Sequence, residues 1–293
     1  MPSSRTVSFG TARALLEHLS PLDTETWPTR KFIFRGQPDA DFGLEASAHR
    51  LQGRIAAPLI YGTKDVRVHD QIWFEASLLL AFLEGCDRSG LIVPGDSPEL
   101  RLRLQHGMQE LMDGPGLWPE KGMYQALAVA QHHGVPTCLL DWTQRSYVAA
   151  YFAASSALSS VKQPEHIAIW ALDVSEAGKW RGLDFIQLPG GTSSNLAAQA
   201  GVFTATRNIQ PSDEIFLPAP MQGTNPYSWN VSLTQYTLPF KEAVSLLEGC
   251  HRLGVSGSTL FPGYEGVARE VQDLANMQRK DVDWDMIALR DIL

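Results

Sequence analysis

Apolar and polar positions along the chain alternate in two distinct periods, and the periods outline the elements. Thr11 to Leu19 carries Leu15, Leu16 and Leu19 on one face behind Thr11 as a candidate N-cap, which predicts a short helix. Lys31 to Gln37 is a β-prone aromatic run bounded by Pro28 and Pro38 and predicts a strand. Ile72, Ala76, Leu79, Leu80 and Leu83 place one apolar stripe on a long helix over 68–86, with Glu75 leaning toward that stripe and expected to pair with Arg50 or Arg35. Ser97-Pro98-Glu99 is a helix start, and Gly114-Pro115-Gly116 closes that helix after Asp113. The loop Trp118 to Lys121 reads as an exposed connection.

The middle of the chain is the densest in signals. Met123 to His133 has helical spacing that stops at Gly134 and Pro136, so His132 and His133 sit at a helix C-terminus. Cys138 to Thr143 reads as a short strand bearing one acid, Asp141, and Ser146 is expected to cap a following helix rich in small residues. Thus His132, His133, Asp141, Thr143 and Ser146 all fall near element ends, where sites are usually built. Further strands are expected at His166–Asp173, Ser212–Pro218 and Trp229–Leu238, with a loop-rich stretch over 184–206. Helices over 240–254 and 266–277 close the pattern. Strands and helices mix without regular alternation, so the predicted fold class is α+β, with a mixed, largely antiparallel sheet flanked by several helices. The expected organisation is a lead-in over 1–29, a main domain over 30–277 with a helical insertion at about 68–134, and a tail over 278–293.

Composition narrows the chemistry. The chain has 293 residues, 44% of them hydrophobic, and a formal net charge of -8, so a broad electrostatic footprint for duplex DNA or an anionic membrane is not expected. Cys86, Cys138 and Cys250 lie far apart with no C-x-x-C spacing, which suits buried thiols in a reducing compartment and excludes a structural zinc motif. Met1 to Arg5 lacks the apolar core of a secretory signal, and no run of 18 apolar residues exists. The expectation is a soluble cytoplasmic protein with no membrane partner and no metal. Adjacent histidines point in different directions on a helix, unlike His-Glu-x-x-His, so a metal-dependent hydrolase or nuclease built on His132, His133 and Asp141 is the weakest reading. One histidine is expected to cap its helix and the other to bond Asp141. Arg35, at the end of a buried strand, requires either an anionic ligand or an internal acid, and Arg50 in the next loop is a second candidate cation.

Three stretches together resemble the FRG-domain family. They are Phe34-Arg35-Gly36-Gln37; Ala130 to Thr137 with Leu139 to Thr143 and Ala150 to Ala153; and Gln199-Ala200-Gly201-Val202-Phe203-Thr204. Arg50, Glu75 with Leu78 and Phe82, and Phe261 to Gly266 add to the match, which runs over about residues 30–275. The pattern is in turn similar to that of ADP-ribosyltransferases of the Arg-Ser-Glu type, in which a first-strand arginine holds NAD, a second strand feeds a small-residue helix, and a glutamate lies at a later strand start. That resemblance implies an ADP-ribosyltransferase-like fold and an NAD-consuming enzyme, acting as an intracellular toxin or defence effector on a protein or nucleic-acid acceptor. The alternative is a module that binds a nucleotide or phosphate without turning it over. It places Arg35, Thr143 and Glu214 in order, with Asp141 as a second candidate carboxylate for an oxocarbenium-like transition state. Expected ligand contacts are Arg35, Gly36, Gln37, Arg50, His132, His133, Ser146 and Gln199, with Trp142, Phe203 or Tyr151 stacking on nicotinamide.

Overall fold

The computed structural model describes residues 3–50, 66–180, 182–207, 210–218, 221 and 232–278. Residues 229–231 of the last expected strand and the tail beyond 278 fall outside them. In chain order the elements are β1 (Ser3–Ser8), α1 (Ala12–His18), β2 (Phe32–Gln37), α2 (Val68–Arg88), α3 (Pro98–His106), α4 (Met108–Asp113), α5 (Tyr124–His132), β3 (Leu139–Thr143) and α6 (Ser146–Leu158). They continue with β4 (His166–Asp173), β5 (Leu183–Ile186), α7 (Ser194–Gln199), β6 (Gly201–Thr206), β7 (Ser232–Pro239), α8 (Ala243–Arg252), α9 (Gly257–Leu260) and α10 (Tyr264–Gln278). Seven strands form one open sheet in the order β1-β7-β4-β2-β3-β6-β5, antiparallel throughout except for the edge pair β1 and β7. The architecture is α+β.

Strand alternation divides the sheet into two faces. Ile33, Leu140, Trp142, Trp170, Leu172, Val202 and Leu233 share one face with Leu44 and Met221. The opposite face carries two separate cores. Phe34, Ile167, Ile169, Ala171 and Leu238 pack under α1, α6 and α8. Leu139, Ile186, Phe203 and Ala205 pack under α2, α3 and α5. The seam between these two helical groups runs over β2 and β3, and there the sheet is weakest: the two strands register at a single pair, Phe34 with Thr143.

Local chemistry accounts for the elements that border the seam. In α6 the alanines at 149, 150, 153 and 154 are fully buried and let the helix lie directly on β2. Contact is so close that a Cβ on Gly36 would fall 1.9 Å from the Ala149 carbonyl oxygen and 2.6 Å from the Ala153 nitrogen. Thr11 caps α1 by accepting from the Ala14 amide at 3.3 Å, and Ser97 caps α3 in the same way from Leu100 at 3.1 Å.

Several expectations are corrected. The helix expected over 97–113 is two helices, because Gly107 breaks it and Arg103 folds over the space a side chain would fill. The stretch 184–206, read as loop, holds α7 and β6 with part of β5. Over 212–218 the only described pairing is an isolated bridge between Ile215 and Arg67. Trp118 is buried, not exposed, and donates to the Glu75 carboxylate at 2.8 Å. Glu75 pairs with neither arginine: its other partners are His49 at 3.2 Å and Gln71 at 2.7 Å. Among the described residues no helix is long and apolar enough to cross a membrane.

Candidate functional site

Beyond the single Phe34–Thr143 pair, the ladder between β2 and β3 stops and the Arg35 guanidinium takes its place. Its Nη1 donates to the Asp141 backbone oxygen at 2.7 Å and lies 2.8 Å from the Asp141 carboxylate. A carbonyl that a continued ladder would have satisfied is thus satisfied by a charged side chain. Asp141 also accepts from Gln131 on α5 at 3.1 Å. Confinement at the seam pushes the Asp141 carboxyl upward, but the charge and hydrogen bond of Arg35, helped by Arg50, outweigh that and hold it below the usual carboxylate range. The carboxylate side chain is 63% exposed while Arg35 is 11% exposed, so the anion faces a cavity and the cation forms its floor.

That cavity, of about 260 Å³, opens at the seam. Phe34, Arg35 and Gly36 line it from β2, Asp141 and Thr143 from β3, Gln131 and His132 from α5, and Gln199 and Phe203 from α7 and β6. Phe152, Phe261, Glu265 and Arg269 close its far side. A smaller compartment of about 190 Å³ shares Arg35, Gln131 and Asp141 with it and is completed by Ser47 and Arg50. Arg35 therefore stands between an aromatic chamber and a second chamber holding another guanidinium. Two residues that line the larger cavity, Arg35 and Thr192, each hold one buried side-chain atom without a hydrogen-bond partner, Nε and Oγ1 respectively.

The histidines divide. His132 Nε2 meets the Asn195 side-chain amide, and burial, reinforced by the nearby His133, holds the His132 imidazole below its ordinary range. That shift favours the neutral ring, whose Nε2 accepts from the amide. His133 is exposed at the C-cap of α5 and faces the Phe82 ring, and Asp141 takes its side-chain hydrogen bonds from Arg35 and Gln131, so the expected histidine bond to Asp141 is not made. Thr143 is buried, donating to the Gln199 carbonyl at 2.6 Å and accepting from the Arg145 amide at 3.1 Å. Gln199 donates to the Leu260 carbonyl at 3.2 Å. Both tie the cavity wall together.

Other expected site residues lie elsewhere. Gln37 is buried, accepting from Trp170 at 2.8 Å and donating to Gly43 at 3.1 Å, so its amide is committed to the fold. Trp142 also lines the seam cavity, but its indole nitrogen donates to Thr204 at 3.0 Å and its side chain packs in the core on the opposite face of the sheet. Tyr151 is buried against Asp273, 2.7 Å away. Ser146 does not cap α6; its hydroxyl donates to the Leu19 carbonyl at 2.6 Å, and it borders a different cavity. Glu214 is exposed, and its carbonyl receives the Val68 amide at the start of α2, so the structure does not bring its carboxylate to the seam. The acid that is there instead is Glu265, held below its usual range by a 2.8 Å pair with Arg269, which itself lies over the Phe261 ring at 4.2 Å. Gln131, Thr192, Asn195, Glu265 and Arg269 are the residues sequence reasoning passed over. The Phe261–Gly266 motif was the one signal that pointed toward Glu265. Among the described residues, no three His, Cys, Asp or Glu side chains converge as a metal site would.

A family model described as the FRG domain matches residues 30–162, which takes in β2, β3 and α6 and so both members of the Arg35–Asp141 pair. Comparison with curated proteins and with solved structures gives no match.

Proposed function

The chain carries an FRG domain, and from that premise we propose that the seam cavity binds a nucleotide and breaks its N-glycosidic bond, with NAD as the substrate, in the manner of an ADP-ribosyltransferase. The observation that supports this most directly is that Arg35 and the exposed Asp141 carboxylate line one cavity, whose neighbouring compartment adds Arg50. Arg35 and Arg50 suit the phosphates, since a guanidinium offers a planar fork of donors. Phe203 and Phe152 offer an apolar wall for nicotinamide. In the reaction the bond from C1′ to the nicotinamide nitrogen breaks, its electron pair leaves with neutral nicotinamide, and the ionised Asp141 carboxylate stabilises the oxocarbenium-like state. An acceptor nucleophile then adds to C1′ and loses its proton. Incubating the full chain with NAD should release nicotinamide, measurable by chromatography, and Arg35→Ala should abolish the release.

A second reading rests on a specific contact. Asp141 is already engaged by Arg35 and Gln131, and a carboxylate so occupied suits a cradle that holds a nucleotide without turning it over. Saturable NAD binding by calorimetry, with no nicotinamide released over hours, selects it.

A further inference from the structure

On the other side of the wall formed by Thr143, Gln199 and Leu260 lies a larger cavity of about 540 Å³ that the reading above does not use. Its walls are mostly apolar and include Trp27, Phe32, Phe34 and Tyr147. Its charged residues are two arginines, Arg30 and Arg145, and no acidic side chain lines it. Neither arginine makes an ion pair among the described residues, and the one hydrogen bond of the Arg145 guanidinium is to the Ala198 carbonyl at 3.2 Å. In a chain with a net charge of -8, two guanidinium groups without acids beside an aromatic cavity form a local electropositive pocket. A second, independent feature converges on the same place. Among the described residues only two non-glycine positions have left-handed backbone, Arg30 (φ 61°) and Ala200 (φ 48°), and both line this cavity. Ala200 is the C-terminal cap of α7, where left-handed backbone is ordinary, whereas a non-glycine residue held in it outside a helix end, such as Arg30, recurs at binding sites.

We propose that this cavity is a second ligand site, for an anionic group carried on a flat apolar body, such as an aryl or nucleoside phosphate. Arg30 and Arg145 bind the anion at the rim and the aromatic walls take the body. The site is independent of the seam cavity, although α7 and Phe34 border both, so it does not depend on NAD being the seam ligand.

The test titrates the full chain with adenosine monophosphate and with α-naphthyl phosphate, by calorimetry. Saturable binding is expected for at least one, weakened about tenfold or more by Arg145→Ala and by Arg30→Gly. The glycine variant keeps the left-handed backbone without strain, so loss of binding there reports the charge and not the fold. Arg50→Ala and Asp141→Asn, in the seam chambers, should leave the affinity within about twofold, and adenosine or inorganic phosphate alone should bind more weakly than the joined molecule. Absence of saturable binding by either probe up to about 1 mM overturns the proposal. So does binding that is lost in the seam variants and kept in Arg145→Ala and Arg30→Gly. Nicotinamide release from NAD is a separate measurement, so the two readings fail separately.

Discussion

Arg35 and Asp141 are joined twice, guanidinium to carboxylate at 2.8 Å and guanidinium to backbone carbonyl at 2.7 Å, across the one gap in the sheet where strand pairing has stopped. The second bond survives if the carboxylate is neutralised, so Asp141→Asn should keep the fold while losing the charge. Because the carboxylate is well exposed, the loss at pH 7 should be small, about 1 kcal/mol. The sign of its pH dependence follows from a folded-state pKa held below the ordinary 3.8. The contribution is fully present above that value and disappears as pH falls through the lower folded value. Thermal melts of the two proteins should therefore differ at pH 7 and converge in acid, once pH has fallen below the lowered folded value.

His132 gives a second, higher window. Its folded pKa lies below the ordinary 6.5, so the unfolded chain takes up the proton first as pH falls and stability declines from about 6.5 downward. Protonation also removes the acceptor of the Asn195 amide. His132→Gln should flatten the decline that sets in below about pH 6.5 in a comparison of melting temperatures. A decline of equal slope in the variant would assign it to other groups.

The buried Glu75 carboxylate holds three donors, from His49, Gln71 and Trp118, and so fixes α2 to the 47–49 turn that brings Ser47 and Arg50 to the smaller chamber. Glu75→Ala leaves those donors buried without a partner and should cost about 3 kcal/mol in denaturant unfolding. Glu75→Gln, which keeps acceptor and shape, should cost less than half of that.

Ala200 ends α7 in the left-handed conformation that helix C-termini usually reserve for glycine. Ala200→Gly should raise stability by about 0.5–1 kcal/mol, read as an increase in melting temperature.

What could be read in advance was what is encoded locally. The caps at Thr11 and Ser97, the apolar stripe of α2 and the small-residue face of α6 each depend on neighbours within a turn or two. Elements fixed by distant partners escaped. The edge strand β1, Ser3–Ser8, is mostly polar and exists through its parallel pairing with β7, more than two hundred residues away. Glu214 follows the same logic: the Ile215-Phe216-Leu217 run has strand composition but meets only Arg67 as a bridge, so its position relative to Arg35 was not encoded nearby. Strand alternation placed Asp141 and Trp142 on opposite faces, and only the register with β6 decides which of them meets the seam.

Gly36 sits where β2 and α6 touch backbone to backbone, so the third letter of the Phe-Arg-Gly tripeptide answers to the girth of a helix before it answers to any ligand. A chain with no activity at the seam would need that glycine just as much, as long as α6 lay on β2. The glycine of the tripeptide is therefore a requirement of assembly.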